Sequence, residues 1–133
     1  MTVAVAHQVS ATAQLALAHA VREAKFRATD LVVLHVVSSA LDADREDAYR
    51  AGVSDEIERA VGPGADVTWE LQLKTVNSDV GDAIVRLTDR LRPDLLVLGA
   101  RRRSPVGKAL LGSVAQTIIL EANVPVLVVK APK

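Results

Sequence analysis

Residues 94–130 read DLLVLGARRRSPVGKALLGSVAQTIILEANVPVLVVK, and the way this stretch parses sets the reading of the whole chain. Leu95 to Gly99 is an apolar run of strand length, and Val126 to Val129 is another. Between them Val114 to Ala122 has helical period, with Ala115, Ile118 and Ile119 on its apolar side. Asn123 and Pro125 separate that helix from the last strand. Strand, helix and strand joined by connections of this length fit a parallel crossover.

The same alternation extends to the N-terminus. Thr2 to Ala6 is a short apolar run, and Ser10 is placed to cap a helix whose stripe is Leu17, Val21, Ala24 and Ala28. Its other faces carry His19, Arg22, Glu23, Lys25 and Arg27. Leu31 to Val37 is nearly continuous in apolar character, as expected of a strand covered on both faces. Leu41 to Ala60 holds seven acidic residues against three arginines with weak periodicity and reads as a solvated helix, ended by Gly62, Pro63 and Gly64. Val67, Trp69, Leu71 and Leu73 alternate with polar residues, the pattern of a half-exposed strand at a sheet edge. Val80, Ile84, Leu87 and Leu91 mark a helix that stops at Pro93. The order β-α-β-α-β-α-β-α-β predicts an α/β fold, an open parallel sheet with helices on both faces.

Composition narrows the function. A chain of 133 residues fits one domain, spanning residues 1–133. Sixteen basic residues balance sixteen acidic ones, so no global field draws the protein to DNA, RNA or an anionic membrane. The aromatic share is 2%, too little for the stacking platforms of single-strand binders or for a flavin pocket. Without cysteine there is no disulfide, thiolate zinc site or cysteine nucleophile, which suits a reducing cytoplasm. With no basic n-region at the start and no apolar run of membrane-spanning length, the expectation is a soluble, intracellular, full-length protein.

In open α/β sheets ligands gather at the carboxyl ends of strands where strand order reverses, which directs attention beyond Ala6, Val37 and Gly99. The loop from Gly99 to Ser113, GARRRSPVGKALLGS, combines three glycines, three consecutive arginines and a lysine, and ends where a helix begins. Backbone N–H groups at a helix N-terminus attract anions, so a phosphate is the natural guest. The plain alternative is that Gly99 closes a strand, Gly112 and Ser113 cap a helix, and Arg101 to Arg103 form a solvated tip. Sharper motifs are absent. Arg102 and Ala109 break a phosphate-binding P-loop around Gly107 and Lys108, and no G-x-G-x-x-G, G-x-S-x-G or H-E-x-x-H occurs. His19 and His35 read as structural, on a helix surface and in a strand interior. His7 ends the first strand at the proposed crevice.

Residues 94–130 resemble the C-terminal signature of universal stress proteins, and LHVV at 34–37 and SATAQLAL at 10–17 also resemble that family. The resemblance implies sheet order 3-2-1-4-5, the adenine nucleotide alpha hydrolase-like arrangement, in a Rossmann-like three-layer α/β/α domain. It also implies a homodimer and a cytoplasmic role in the stress response. One branch of the family binds ATP or AMP through G-x-x-G-(nine residues)-G-S/T. Gly99, Gly112 and Ser113 match that pattern, whereas Arg102 stands at its second glycine. Gln8 stands where the family has an aspartate after the first strand. If the second glycine requires positive φ, arginine costs on the order of 1 kcal/mol there, yet its guanidinium can grip a phosphate. Gln8 keeps hydrogen-bonding capacity but loses the charged acceptor for ribose hydroxyls.

By the same analogy, phosphate oxygens would sit on N–H groups around Gly112, Ser113 and Val114. Ala6, His7 and Gln8 would flank the nucleoside, the backbone of Val36 would meet the base, and Mg2+ would accompany ATP. The last strand, Val126, Leu127, Val128 and Val129, is apolar on both faces at a sheet edge, which invites self-pairing across a two-fold axis. Two readings follow: a dimeric nucleotide-responsive or anion-responsive module, or a dimer of the same fold that has lost nucleotide binding and works through protein contacts. No residue is assigned a catalytic role, and the most the crevice would support is weak ATP hydrolysis, since no carboxylate pair is evident. The acidic residues of a response-regulator receiver are missing at His7 and Gln8.

Overall fold

Successive side chains of a strand point to opposite faces, so a sheet covered on both sides needs apolar residues at every position. The first strand, β1 (Thr2–His7), meets this demand: it is buried from Val3 to His7. The computed structural model describes residues 2–8, 11–38, 42–64, 66–100 and 112–130. The remaining elements are α1 (Ala11–Arg27), β2 (Asp30–Val37), α2 (Ala43–Val61), β3 (Trp69–Thr75), α3 (Val80–Leu91), β4 (Leu95–Ala100), α4 (Ser113–Glu121) and β5 (Val126–Lys130). All strand pairs are parallel, and the order across the sheet is β3-β2-β1-β4-β5. This is the order that the family resemblance implies.

The alternation of β1 divides the core. Val3 and Val5 join Leu31 and Val33 under α1 and α2, with Leu17, Val21, Val53 and Ile57 packed against them. Ala4 and Ala6 join Val32, Leu34 and Leu98 under α3 and α4, against Ile84, Leu87 and Ile118. Each fully buried side chain of this size contributes roughly 1.5–3 kcal/mol. The buried face of α1 is largely alanine, at 13, 16, 20 and 24, which lets the helix lie close to the sheet. At Gly99 the approach is close enough that a Cβ would stand 2.6 Å from the carbonyl oxygen of Thr12.

Local chemistry sets the helix ends. Asp42 caps α2 by accepting from the Arg45 N–H at 2.8 Å, and Asp79 caps α3 by accepting from Asp82 at 3.0 Å. At the far end of α2, Gly62 takes φ 82°, and Arg92 closes α3 in the left-handed region at φ 49°. Asp94 fastens β4 to β1: its carboxylate accepts from the Thr2 N–H, and its own N–H donates to the Thr2 carbonyl, both at 2.8 Å.

Several expectations need correction. Helix α2 is not solvated all round: Val53, Ile57 and Val61 are buried and Tyr49 is half-buried, a stripe that the surrounding acids mask in the sequence. Ala28 lies beyond α1 at φ 53°, where the chain turns, and its side chain is exposed. On α4, Ala115 and Ile118 are buried as expected, but Ile119 is 36% exposed because its position rotates away from the sheet. The N-cap of that helix is Gly112, and Ser113 is its first residue. Ser10 and Arg101 to Arg103 lie outside the described residues.

Candidate functional site

After β3 the chain crosses to the far side of β1 and inserts β4 there, so strand order reverses between β1 and β4. A cleft of about 160 Å³ opens at the carboxyl ends of these two strands. Ala6, Gln8, Leu98 and Gly99 form its floor, Thr12 one wall, and Gly112, Val114 and Ala115 the other. Among the candidate residues, Ala6, Gln8, Gly99, Gly112 and Val114 therefore converge, and Ser113 sits between two of them as an exposed residue. Arg102 lies outside the described residues. Val36 is buried beyond the end of β1, in register with Lys74 on β3.

The chemistry of the cleft is specific. Gln8 Nε2 is buried and has no hydrogen-bond partner among the described residues, and an orphaned donor of this kind is costly unless something outside the chain satisfies it. Across the cleft Gly112 has φ −62° and ψ 159°, offers no side-chain cap, and has open space where a Cβ would stand. Gly112 brings no side-chain oxygen of its own to the first-turn N–H groups of α4, whose dipole favours negative charge. The described lining contains no carboxylate, so it supplies no carboxylate ligand for Mg2+. Gly99 has a second duty, because its missing Cβ is what admits the start of α1. A larger groove of about 510 Å³ lies at the opposite end of the sheet, between the end of α2 and Trp69. Asp55, Glu58 and Arg59 line it, with no orphaned buried donor. The smaller cleft is the better candidate because it holds the unsatisfied group and the helix terminus.

His7 takes a different place from its neighbours. Its side chain lies on the α1/α2 side of the sheet, 1% exposed, and what it can offer the cleft is backbone. Its Nδ1 is 2.8 Å from Nδ1 of His35, and Nε2 of His35 is 2.7 Å from the Tyr49 hydroxyl. On the far side, His7 Nε2 lies 3.2 Å from a carboxylate oxygen of Glu56, at an angle too poor for a well-formed hydrogen bond. Burial pushes His35 down to about 4, with the His7 charge adding to the effect. Burial also lowers His7, opposed by Glu56, and both burial and Glu56 raise Tyr49. Sequence reasoning treated His35 as structural and missed Tyr49 and Glu56. Their signal was the α2 stripe: residues 49, 53, 56, 57 and 60 fall on one helical face.

A profile of the Universal stress protein family matches residues 1–130. The chain is 37% identical over 115 residues to a universal stress protein of Mycolicibacterium smegmatis, covering 86% of each. It also resembles the structure of a universal stress protein from Archaeoglobus fulgidus, at 30% identity over 97% of both chains with a TM-score of 0.75. A universal stress protein structure from Archaeoglobus fulgidus in complex with dAMP superposes with a TM-score of 0.69 at 25% identity, covering 97% of this chain and 96% of that one. Among the described residues no helix is long and apolar enough to cross a membrane, and no three His, Cys, Asp or Glu side chains converge as a metal site.

Proposed function

The chain belongs to the universal stress protein family, and we propose that it acts as a cytoplasmic, homodimeric regulatory module that binds an adenine nucleotide, AMP or ATP. The observation that carries this reading is the cleft between β1 and β4, with the Gln8 amide nitrogen, unpartnered among the described residues, on one side and the side-chain-free cap of α4 on the other. In this reading the nucleotide phosphate rests on the N–H groups of Ser113 and Val114. Gln8 Nε2 donates to a sugar oxygen beside Ala6 and the His7 backbone, and the Val36 backbone meets the base. Arg102 adds a guanidinium to the phosphate, and Mg2+ arriving with ATP is held by the phosphates. The dAMP complex of the Archaeoglobus relative supports the choice of ligand class.

Dimerisation is proposed through β5, which pairs only with β4 among the described strands and whose Val126, Leu127 and Val128 are half-buried in one protomer. A second reading, a dimer that signals through protein contacts without nucleotide, is favoured by Gln8 standing where a carboxylate would grip ribose hydroxyls. Thermal unfolding with and without AMP or ATP separates the two. Nucleotide at about 100 times its dissociation constant should add about 2.7 kcal/mol of stability, while an unmoved midpoint at millimolar nucleotide selects the second reading.

A further inference from the structure

Two neutral imidazoles that meet through Nδ1 atoms can share only one proton, so one ring must donate and the other accept. The outer contacts decide which. Were His7 the donor, its Nε2 would be bare and would face the Glu56 carboxylate at 3.2 Å, lone pair against anion. With His35 as donor the two ring contacts are hydrogen bonds and the third is complementary in charge. The Tyr49 hydroxyl donates to His35 Nε2, His35 Nδ1–H donates to His7 Nδ1, and the His7 Nε2–H group lies beside the Glu56 carboxylate, an attraction of charge with poor hydrogen-bond geometry. The four groups then form a relay of one direction, ending on a negative charge.

We propose that His7 and His35 form an acid-sensing relay between Tyr49 and Glu56, reversed by one added proton and broken by a second. The first proton makes His7 doubly protonated beside Glu56. His35 passes its Nδ1 proton to His7 Nδ1 and takes the added one at Nε2 by way of Tyr49, so His7 becomes the donor between the rings and the hydroxyl turns from donor to acceptor. A second proton on His35 puts two N–H groups face to face with no acceptor between the rings and leaves two cations in contact. Because Tyr49 and Glu56 both belong to α2 while the histidines belong to β1 and β2, the strain is relieved by α2 lifting from the sheet to admit water. The added proton enters from the Tyr49 end, since His7 Nε2 already carries its hydrogen, and Glu56 is left to balance the charge on His7. The Glu56 side chain is 34% exposed and borders a cavity of about 290 Å³ between α1 and α2, which also holds Gln14 and Arg59.

No other described charge faces the pair. Across from His35, β3 presents Leu73, which is buried, and α1 carries no titratable side chain before His19, two turns beyond the start of the helix. On α2 the remaining acids near the relay are engaged outward, with Asp42 capping the helix and Glu46 pairing with Arg50 at 3.7 Å. Burial keeps both rings neutral at pH 7, with His35 held near 4.

Imidazole nitrogen spectra and amide exchange on the unmodified protein test the proposal. Near pH 7.5 His35 should carry its proton on Nδ1 and His7 on Nε2. Between pH 7 and pH 5, after correction for intrinsic exchange, α2 amides should open about twentyfold more readily, as one buried ring held near 4 predicts, while α3 amides hold steady. The paired substitution His7→Val and His35→Leu should abolish that α2 response. A His7 proton on Nδ1 at neutral pH, or equal acid sensitivity in α2 and α3, overturns the relay. The tautomer measurement stands even if the double variant fails to fold.

Discussion

The two faces of the sheet bury comparable apolar cores but treat polar atoms in opposite ways. Under α3 and α4 the one fully buried polar side chain among the described residues is Thr88, whose hydroxyl donates to the Ile84 carbonyl of its own helix at 2.7 Å. Under α1 and α2 the buried polar groups are two histidines joined to each other and to a helix that must stay docked for the contacts to persist. The first arrangement is local and indifferent to pH, whereas the second is long-range and titratable. Alternation along one strand makes this possible. Ala6 and Gln8 face the cleft while His7, between them, faces the relay.

Acid should break this comparison most strongly. A base whose folded pKa lies below its unfolded value of about 6.5 leaves the native state binding fewer protons than the unfolded chain. Stability is therefore full above pH 6.5, falls as pH drops, and levels off below the folded value. For His35, at about 4, the loss between pH 7 and pH 4 is about 3 kcal/mol, measurable as a shift of the urea midpoint. His7 adds to the loss in the same direction.

The next effect lies where the cleft meets α1. Gly99→Ala places a Cβ 2.6 Å from the Thr12 backbone oxygen, so α1 must shift. The expected cost is about 1–3 kcal/mol together with weaker AMP binding, read from denaturation and calorimetry. Unchanged stability would mean that the two backbones are not in contact.

The smallest change sharpens the account of α4. Gly112→Ser fits the open space at the cap and should raise stability by a few tenths of a kcal/mol in thermal melts. Its hydroxyl would occupy the first-turn N–H groups, so AMP affinity should fall while stability rises. Parallel changes in both would remove the helix terminus from the site.

Much of this was legible in the residues themselves. Continuous apolar runs marked β1, β2 and β4, and the switch-point rule directed attention to Ala6 and Gly99. The relay was not legible, because His7, His35, Tyr49 and Glu56 are far apart in the chain and meet only through the β1–β2 register, where His7 pairs with His35. Ile119 misled because one helical face can hold more apolar residues than the sheet covers. Gly99 looked like a phosphate glycine, and only the approach of Thr12 reveals its packing duty.

Titration of AMP into the 15N-labelled protein, followed through backbone and side-chain amides, tests the central claim most directly. The predicted result is movement of the Gly99, Gly112, Ser113 and Val114 amides and of the Gln8 side-chain amide, with Leu73 and the His35 ring unmoved. Amides at the cleft that stay fixed at millimolar AMP, or shifts confined to the groove beside Trp69, would contradict it.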